Sequence, residues 1–409
     1  MDATRISVLD LASRHRQMRI AVVTETYPPE VNGVAMTTGR LIAGLQELGH
    51  AVQLVRPRQG SDDSPAQGED FNEMLARGIP IPRYNHLKMG LPARNALVRA
   101  WSLRRPDIVQ VVTEGPLGWS AVAAARRLKL PVITEFHTNF HAYSRYYGIG
   151  WLKQSVAAYL RRFHNKGDLT LVPTPALRDE LLAAGFHHVD VVARGVDTGL
   201  FCPARRSDAL RQSWGATPET LVCAIVSRLA PEKNLDLAIR AFESVRARHR
   251  NSRLVLVGDG PARAGLQARY PEHVFAGMQR GEDLAAHYAS ADCFIFPSLT
   301  ETFGNVIAEA LASGLPVVSF DYAAASELIT TGSNGLVVPF GDEAAFISAC
   351  ELLVQDRALL GAMRAAAQDS VRHLDWLTVA AQLVRLLDET VSSHEIRQQT
   401  RSSLLAQPD

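Results

Sequence analysis

The sequence predicts two α/β domains, each a doubly wound parallel sheet covered on both faces by helices, facing each other across a cleft. Three observations carry that expectation. The chain has 409 residues, the length of two domains of about 200 residues that can each bury a core. Short apolar runs alternate with helix-length segments, the pattern of parallel strands joined by crossover helices. The alternation then restarts after Arg194–Pro203, where Gly195, Asp197, Gly199 and Pro203 punctuate the chain.

In the first half the strand-like runs are Arg19–Thr24, Ala51–Val55, Ile108–Val112, Val132–Phe136, Leu169–Val172 and Val189–Val192. Between them, segments such as Met36–Leu48 and Leu117–Leu128 combine helical periodicity with good helix formers. The second set is Leu221–Ser227, Leu254–Val257, Val274–Ala276, Cys293–Phe296, Val317–Phe320 and Leu336–Val338. The end reads as helical over Glu343–Leu353, Arg357–Ala367 and Trp376–Thr390, and the polar stretch Gly60–Asp70 as a mobile loop. These elements predict domains over 18–198 and 199–375, a disordered extension over 1–17 and a flexible tail over 393–409. Ligands of such sheets bind beyond the carboxyl ends of the strands.

Composition excludes several classes. Apolar residues are 47% and charged residues 21%, as in soluble globular proteins. No apolar run reaches the roughly 18–20 residues of a membrane span, and residues 1–17 lack the pattern of a secretory signal. The four cysteines show no Cys-x-x-Cys spacing, which predicts reduced thiols in a cytoplasmic protein and no metal framework. The net charge of +1 is uneven: residues 1–200 hold 24 Lys+Arg against 18 Asp+Glu, and residues 201–409 hold 19 against 24. A basic first half suits an anionic acceptor or an anionic membrane surface, and a scatter of solvated charges explains it equally well. No nucleic-acid partner is implied.

Four segments carry chemistry. Glu301-Thr-Phe-Gly-Asn-Val-Ile-Ala-Glu309 follows a strand and opens a helix near Gly304. Unpaired N–H groups there make a phosphate site of Phe303, Gly304, Asn305 and Val306. Glu301 and Glu309, carboxylates beside a phosphate site, suit sugar and ribose hydroxyls. Val226-Ser-Arg228-Leu-Ala-Pro-Glu-Lys233 also links a strand to a helix, and Arg228 and Lys233 can clamp a diphosphate. Lys233 is the only lysine after residue 166, in a chain with 5 Lys among its 43 basic residues. Glu25-Thr-Tyr-Pro-Pro-Glu-Val-Asn-Gly33 places a glycine at a helix opening but lacks Gly-x-Gly-x-x-Gly, which disfavours a dinucleotide enzyme. Thr134-Glu-Phe-His137 ends a strand with a histidine in reach of a sugar hydroxyl, followed by His141, Tyr143, Tyr146 and Tyr147 as candidate acceptor-channel residues. Asp197 reads as a turn residue.

As a set, these segments resemble family 4 of the retaining glycosyltransferases, over nearly the whole chain from Met18 to about Thr390. The resemblance implies the GT-B fold, with an acceptor-binding first domain, a nucleotide-sugar-binding second domain and a last helix, about 376–392, crossing back to the first. It implies that Glu309 binds the ribose and Glu301 the transferred sugar. Arg228 and Lys233 hold the diphosphate, Gly33 faces it, and His137 sits beside the sugar. Neither metal nor other cofactor is implied, and no Asp-x-Asp occurs. The segments are similar to those of GDP-mannose-dependent α-mannosyltransferases and of sulfoquinovosyl- and glucosyl-diacylglycerol synthases. A hexose, mannose first, passing to a lipid or saccharide hydroxyl is the expected reaction, with a UDP-sugar-dependent glycolipid synthase as the alternative. Such an enzyme would work in the cytoplasm, peripherally on the inner membrane face. A nucleotide-sugar epimerase of the same fold is the competing class.

Overall fold

The structure, a computed structural model, describes residues 16–30, 32–81, 84–137 and 153–405. They fall into two compact units, one within Met1–Glu135, Phe163–Thr170 and Ala380–Asp409, the other within Phe136–Arg162 and Leu171–Val379. Residues 171–198, expected in the first domain, group by contact with the second unit. Phe136 leaves its strand to pack edge-on against Phe186, 5.8 Å between ring centres, in a small core with Leu160, Val172 and Leu181.

The first elements are β1 (Arg19–Val23), α1 (Gly33–Glu47), β2 (Ala51–Pro57), β3 (Phe71–Ala76), β4 (Gly78–Ile81), β5 (Tyr84–Gly90), α2 (Arg94–Leu103), β6 (Ile108–Val111), α3 (Pro116–Arg127), β7 (Val132–Glu135), α4 (Lys153–His164), β8 (Leu169–Val172), α5 (Pro175–Ala183) and β9 (Val189–Val191). A seven-stranded sheet has the order β3-β2-β1-β6-β7-β8-β9. The β1–β2, β1–β6, β2–β3 and β6–β7 pairs are parallel. β6 and β7 are buried along their whole length, as strands covered on both faces must be. The six runs read as strands are strands; β3 and the antiparallel hairpin β4–β5 are additional.

The stretch Gly60–Asp70, expected to be mobile, is pinned. Arg56 leaves β2 with its guanidinium forked between Asp63 (2.7 and 2.9 Å) and Glu73 (3.0 and 3.1 Å). Asp63 also accepts from the Gln59 N–H at 2.7 Å, and Glu73 from the Ala66 N–H at 3.0 Å. One buried cation thus gathers two acidic residues that fasten the loop at both ends.

The chain continues with α6 (Asp208–Ser213), β10 (Leu221–Val226), α7 (Leu235–Arg248), β11 (Ser252–Val257), α8 (Arg263–Arg269), β12 (Val274–Gly277), α9 (Gly281–Ser290), β13 (Cys293–Phe296), α10 (Asn305–Ala312), β14 (Val317–Phe320), α11 (Ala324–Leu328), β15 (Gly335–Val338), α12 (Glu343–Gln355), α13 (Arg357–Ser370) and α14 (Trp376–Leu405). The six-stranded sheet β12-β11-β10-β13-β14-β15 is parallel throughout. Alternate residues of β10 feed opposite faces: Val222, Ala224 and Val226 enter one core, Leu221, Cys223 and Ile225 the other. The cysteines form no disulfide, and Cys223, Cys293 and Cys350 are buried.

α14 begins in the second unit and belongs to the first from Ala380. In the second unit Trp376 lies on Gly195, where a Cβ would meet its ring at 2.5 Å. In the first, His394 and Arg397 reach Asp168 at 3.2 and 2.6 Å, and Gln398 donates to the Lys129 carbonyl at 2.8 Å. Those bonds extend the helix to Leu405, which corrects the expectation of a flexible tail from 393. Residues 1–15 of the expected extension lie outside the described residues. Among the described residues no helix is long and apolar enough to cross a membrane.

The Arg56 fork makes a prediction. Arg56→Ala leaves two carboxylates without their cation and should cost about 3 kcal/mol, read as a urea-midpoint shift with new protease cuts within 60–70. Hydrogen bonding to Arg56 holds the Asp63 carboxyl down at about 2. Its stabilising contribution is therefore complete above the ordinary carboxylate range and is lost as pH falls through about 2.

Candidate active site

In a doubly wound sheet the strand order reverses at one point, and the two loops leaving it at the carboxyl ends border a crevice. In the second sheet this point lies between β10 and β13. The loop after β10 carries Arg228 and Lys233; the loop after β13 carries Glu301, Phe303 and Gly304 and opens α10. The topology therefore brings together two segments about 70 residues apart.

Both cations are paired. Lys233 Nζ meets Glu301 Oε1, which also accepts from Ser298 Oγ at 2.7 Å. The two side chains are 16% and 15% exposed, so the pair is screened little by solvent. Arg228 pairs with Glu232 and remains 58% exposed. A phosphate arriving here has to exchange with a carboxylate at each cation.

α10 opens on Gly304, at φ +99° in the left-handed region, with no side-chain cap and no acidic residue in its first turn. The N–H groups of this opening are left for an anion. The preceding turn is fixed by Tyr322 Oη, which donates to the Glu301 carbonyl at 2.8 Å, and by the Ala324 N–H, which donates to the Phe303 carbonyl at 2.8 Å. Phe303 buries its ring in the core and offers the site backbone only.

Glu309 lies farther along α10, where its Oε2 accepts from Tyr288 Oη at 2.9 Å. Burial pushes its carboxyl up to about 7, with the Tyr288 hydrogen bond acting the other way. Burial also pushes the Tyr288 phenol well above its ordinary value. Sequence reasoning missed Tyr288, which is one apolar-looking position of α9. It also missed Gly258 and Gly260, although Gly-Asp-Gly after a buried strand is a visible signal. A Cβ at Gly258 would meet the Ser227 carbonyl oxygen at 1.9 Å, and one at Gly260 the Leu229 carbonyl oxygen at 2.4 Å. These glycines let the β11 loop lie directly on the loop of Arg228.

His137 is grouped with the second unit. Its carbonyl accepts from Thr302 Oγ1 at 3.1 Å, and its ring Nδ1 meets the buried guanidinium of Arg194, a partner the sequence did not suggest. Asp197 caps a turn, accepting from the Leu200 N–H at 2.9 Å. His141, Tyr143, Tyr146 and Tyr147 lie outside the described residues. Gly33 is in the first unit, where it starts α1; a Cβ added there would meet nothing within 4 Å. Its loop leaves β1 where the first sheet reverses, between β1 and β6. There the Glu25 N–H donates to Thr113 Oγ1 and Glu25 Oε1 accepts from the Leu117 N–H, both at 2.9 Å.

One group of potential metal ligands occurs among the described residues: Glu243, Glu272 and His273 lie within 4.8 Å of one another. Arg246 already reaches Glu243 at 2.7 Å and Glu272 at 3.7 Å. His273 precedes β12, so the group is at the sheet end opposite the loops of the site.

The elevated Glu309 carboxyl predicts how stability depends on pH. Its value is raised on folding, so stability is highest below the ordinary carboxylate range and falls as pH rises toward about 7, then levels. Urea melts at pH 5.5 and 8 should differ less for Glu309→Gln than for the parent protein, because the amide does not ionise.

Comparison with known proteins identifies the family and the fold. A family profile described as Glycosyl transferases group 1 matches residues 220–356, and one described as Glycosyltransferase Family 4 matches residues 31–200. A GDP-mannose-dependent alpha-mannosyltransferase of Mycobacterium tuberculosis is 35% identical over 90% of this chain and 95% of its own. An alpha-monoglucosyldiacylglycerol synthase of Streptococcus pneumoniae is 30% identical over 74% of this chain and 71% of its own. Among solved structures, a sucrose-phosphate synthase of Thermosynechococcus elongatus superposes with a TM-score of 0.75 at 18% identity, covering 92% of this chain and all of its own. Anabaena HepE in complex with UDP gives 0.72 at 19% identity over 91% of this chain and all of its own. The fold is GT-B. The chain belongs to glycosyltransferase family 4 and is a hexosyltransferase.

Proposed function

We propose that the chain transfers mannose from GDP-mannose to a hydroxyl of a lipid or saccharide, with retention at the anomeric carbon and without a metal. The supporting observation is the convergence of Arg228, Lys233, Glu301 and the bare opening of α10 at one strand-order reversal. The choice of mannose follows relatives named as GDP-mannose-dependent at 35% and 32% identity.

The hard step is departure of a nucleoside diphosphate, on which negative charge grows. Arg228 exchanges Glu232 for phosphate oxygens through its planar fork, and Lys233 adds a point charge. The N–H groups of Asn305 and Val306 complete the receiving site with fixed partial charges. These groups supply the positive charge that a metal provides elsewhere. Glu309 accepts from the ribose hydroxyls, and Glu301, relieved of Lys233, from hydroxyls of the transferred sugar. His137 is the residue assigned to that sugar, and Gly33 leaves the opening of α1 in the first unit open to close approach. Attack from the face of departure retains configuration, and the leaving phosphate takes the acceptor's proton. The first domain binds the acceptor, and the second the donor.

A donor screen tests the reading. With GDP-mannose, UDP-glucose and UDP-N-acetylglucosamine offered without acceptor, slow mannose release from the first alone is expected, and epimerised donor would assign the other class. Arg228→Ala should lose about 2.7–4 kcal/mol of transition-state stabilisation, and exhaustive chelation should leave turnover unchanged. Near-normal turnover of Arg228→Ala would remove the assignment.

The basic first half further supports peripheral binding to the anionic inner face of the membrane, in the cytoplasm. Arg126 and Arg127 at the end of α3, with Lys129 and Arg162, expose their side chains, whereas Lys166 is half-buried and Arg161 is partly engaged by the Ala184 carbonyl at 3.0 Å. Flotation with phosphatidylglycerol vesicles should capture the protein at low salt and release it at high salt; no capture at low salt would count against the membrane.

A further inference from the structure

An ionised carboxylate has about four lone-pair sites for hydrogen bonds, and Glu309 is given one donor, Tyr288 Oη. Among the described residues no charged side chain acts on it electrostatically. The neighbouring groups are committed elsewhere. His287, next to Tyr288 on α9, holds the Asp283 carbonyl at 2.7 Å, and its ring centre lies 5.6 Å from that of Trp214. Arg364 of α13, a helix packed on α10, is bound to Asp292 at 3.0 Å. Glu327 of α11 is exposed.

Tyr288 itself is immobilised. It is fully buried, edge-on to Phe201 at 5.7 Å and 86°, and tilted against Phe294 at 5.7 Å and 47°. Its hydroxyl therefore points at Glu309 from a rigid base. Glu309 keeps partial access to solvent, and Tyr288 engages its Oε2 alone.

We propose that Tyr288 is a positioning residue of the nucleotide site: it fixes one oxygen of Glu309 and thereby aims the other at the adjacent ribose hydroxyls. This rests on the reading above that Glu309 holds the ribose. Burial, with the neighbouring Glu309, holds the phenol well above its ordinary value, so it is a donor near neutral pH. Without it, burial acts on the Glu309 carboxyl unopposed, and the proton is held to higher pH. A protonated carboxyl is a poorer acceptor for two hydroxyls.

The test is calorimetric titration of GDP and of 2′,3′-dideoxy-GDP into the full chain, with the matching uridine nucleotides in parallel, between about pH 6 and 9. The parent protein should prefer the ribonucleotide by on the order of tenfold or more, with the preference growing as pH rises through about 7. Tyr288→Phe, which keeps the ring and its packing, should lose most of that preference near neutrality and regain part of it at higher pH, while dideoxynucleotide binding stays unchanged. Equal weakening of both nucleotides, or an unchanged preference and pH profile, would overturn the positioning role. Glu309→Gln separates the two layers. A ribose preference that survives in it defeats the reading of Glu309 itself, whereas loss in Glu309→Gln with retention in Tyr288→Phe defeats only the role of Tyr288.

Discussion

Parallel strands cannot be joined by a tight turn, so each must be followed by a crossover that returns the chain to the start of the next strand. That constraint governs everything at the site. All six strands of the second sheet run one way, so every loop leaving a strand end lies on one edge. The reversal of strand order between β10 and β13 then sends two of these loops in opposite directions and opens the edge. Asp292, just before β13, fastens this junction. It accepts from Arg206 (3.0 Å), Arg211 (3.2 Å), Arg364 (3.0 Å) and the Val222 N–H of β10 (2.8 Å). Three arginines compensate one half-buried carboxylate, so the starts of β10 and β13 are held together at the end remote from the chemistry.

At the chemical end the charges are arranged for exchange. Lys233 and Arg228 each have a carboxylate partner before any ligand arrives. This lowers the electrostatic gain on binding phosphate, because the carboxylate bond must first be given up. It also restricts both side chains, which lowers the entropy lost when either is ordered further. The partners differ in consequence. Arg228 is exposed and its pair with Glu232 is weak in water. Lys233 and Glu301 are largely enclosed, and releasing either without a replacement partner is costly. A ligand carrying both a phosphate for the lysine and hydroxyls for the glutamate replaces both partners together.

Much of this was legible in the sequence, for identifiable reasons. Strands buried along their whole length write continuous apolar runs, so β10, β13 and β14 could be read directly. The acidic pair Glu301 and Glu309 around Gly304 stood out only in company with Arg228 and Lys233, because an acidic residue at a helix start is by itself what the helix dipole favours. β3 escaped because Phe-Asn-Glu-Met-Leu-Ala is an edge strand with mixed polarity and little periodic signal. The loop 60–70 looked mobile because its composition is polar; what orders it is a single arginine on a neighbouring strand, and pairing between positions 56, 63 and 73 has no local signature. Tyr288 was invisible for the same reason: its partner is 21 residues away on another helix.

The two glutamates of the motif show why a pattern of residue types underdetermines a site. They have the same chemistry, stand eight positions apart and border the same helix opening. Glu301 lies before the helix against a lysine and a serine hydroxyl. Glu309 lies within it against a single phenol, and burial raises its carboxyl to about 7. A carboxylate beside a cation has its charge offset by that cation; one without a cation depends on the hydrogen-bond donors around it. Tyr288 is one such donor, and it offsets the cost of the Glu309 charge only in part. Two residues of one type at one helix opening therefore differ in kind: the Lys233–Glu301 end is set by a charge pair, and the Glu309 end by burial against one hydroxyl donor.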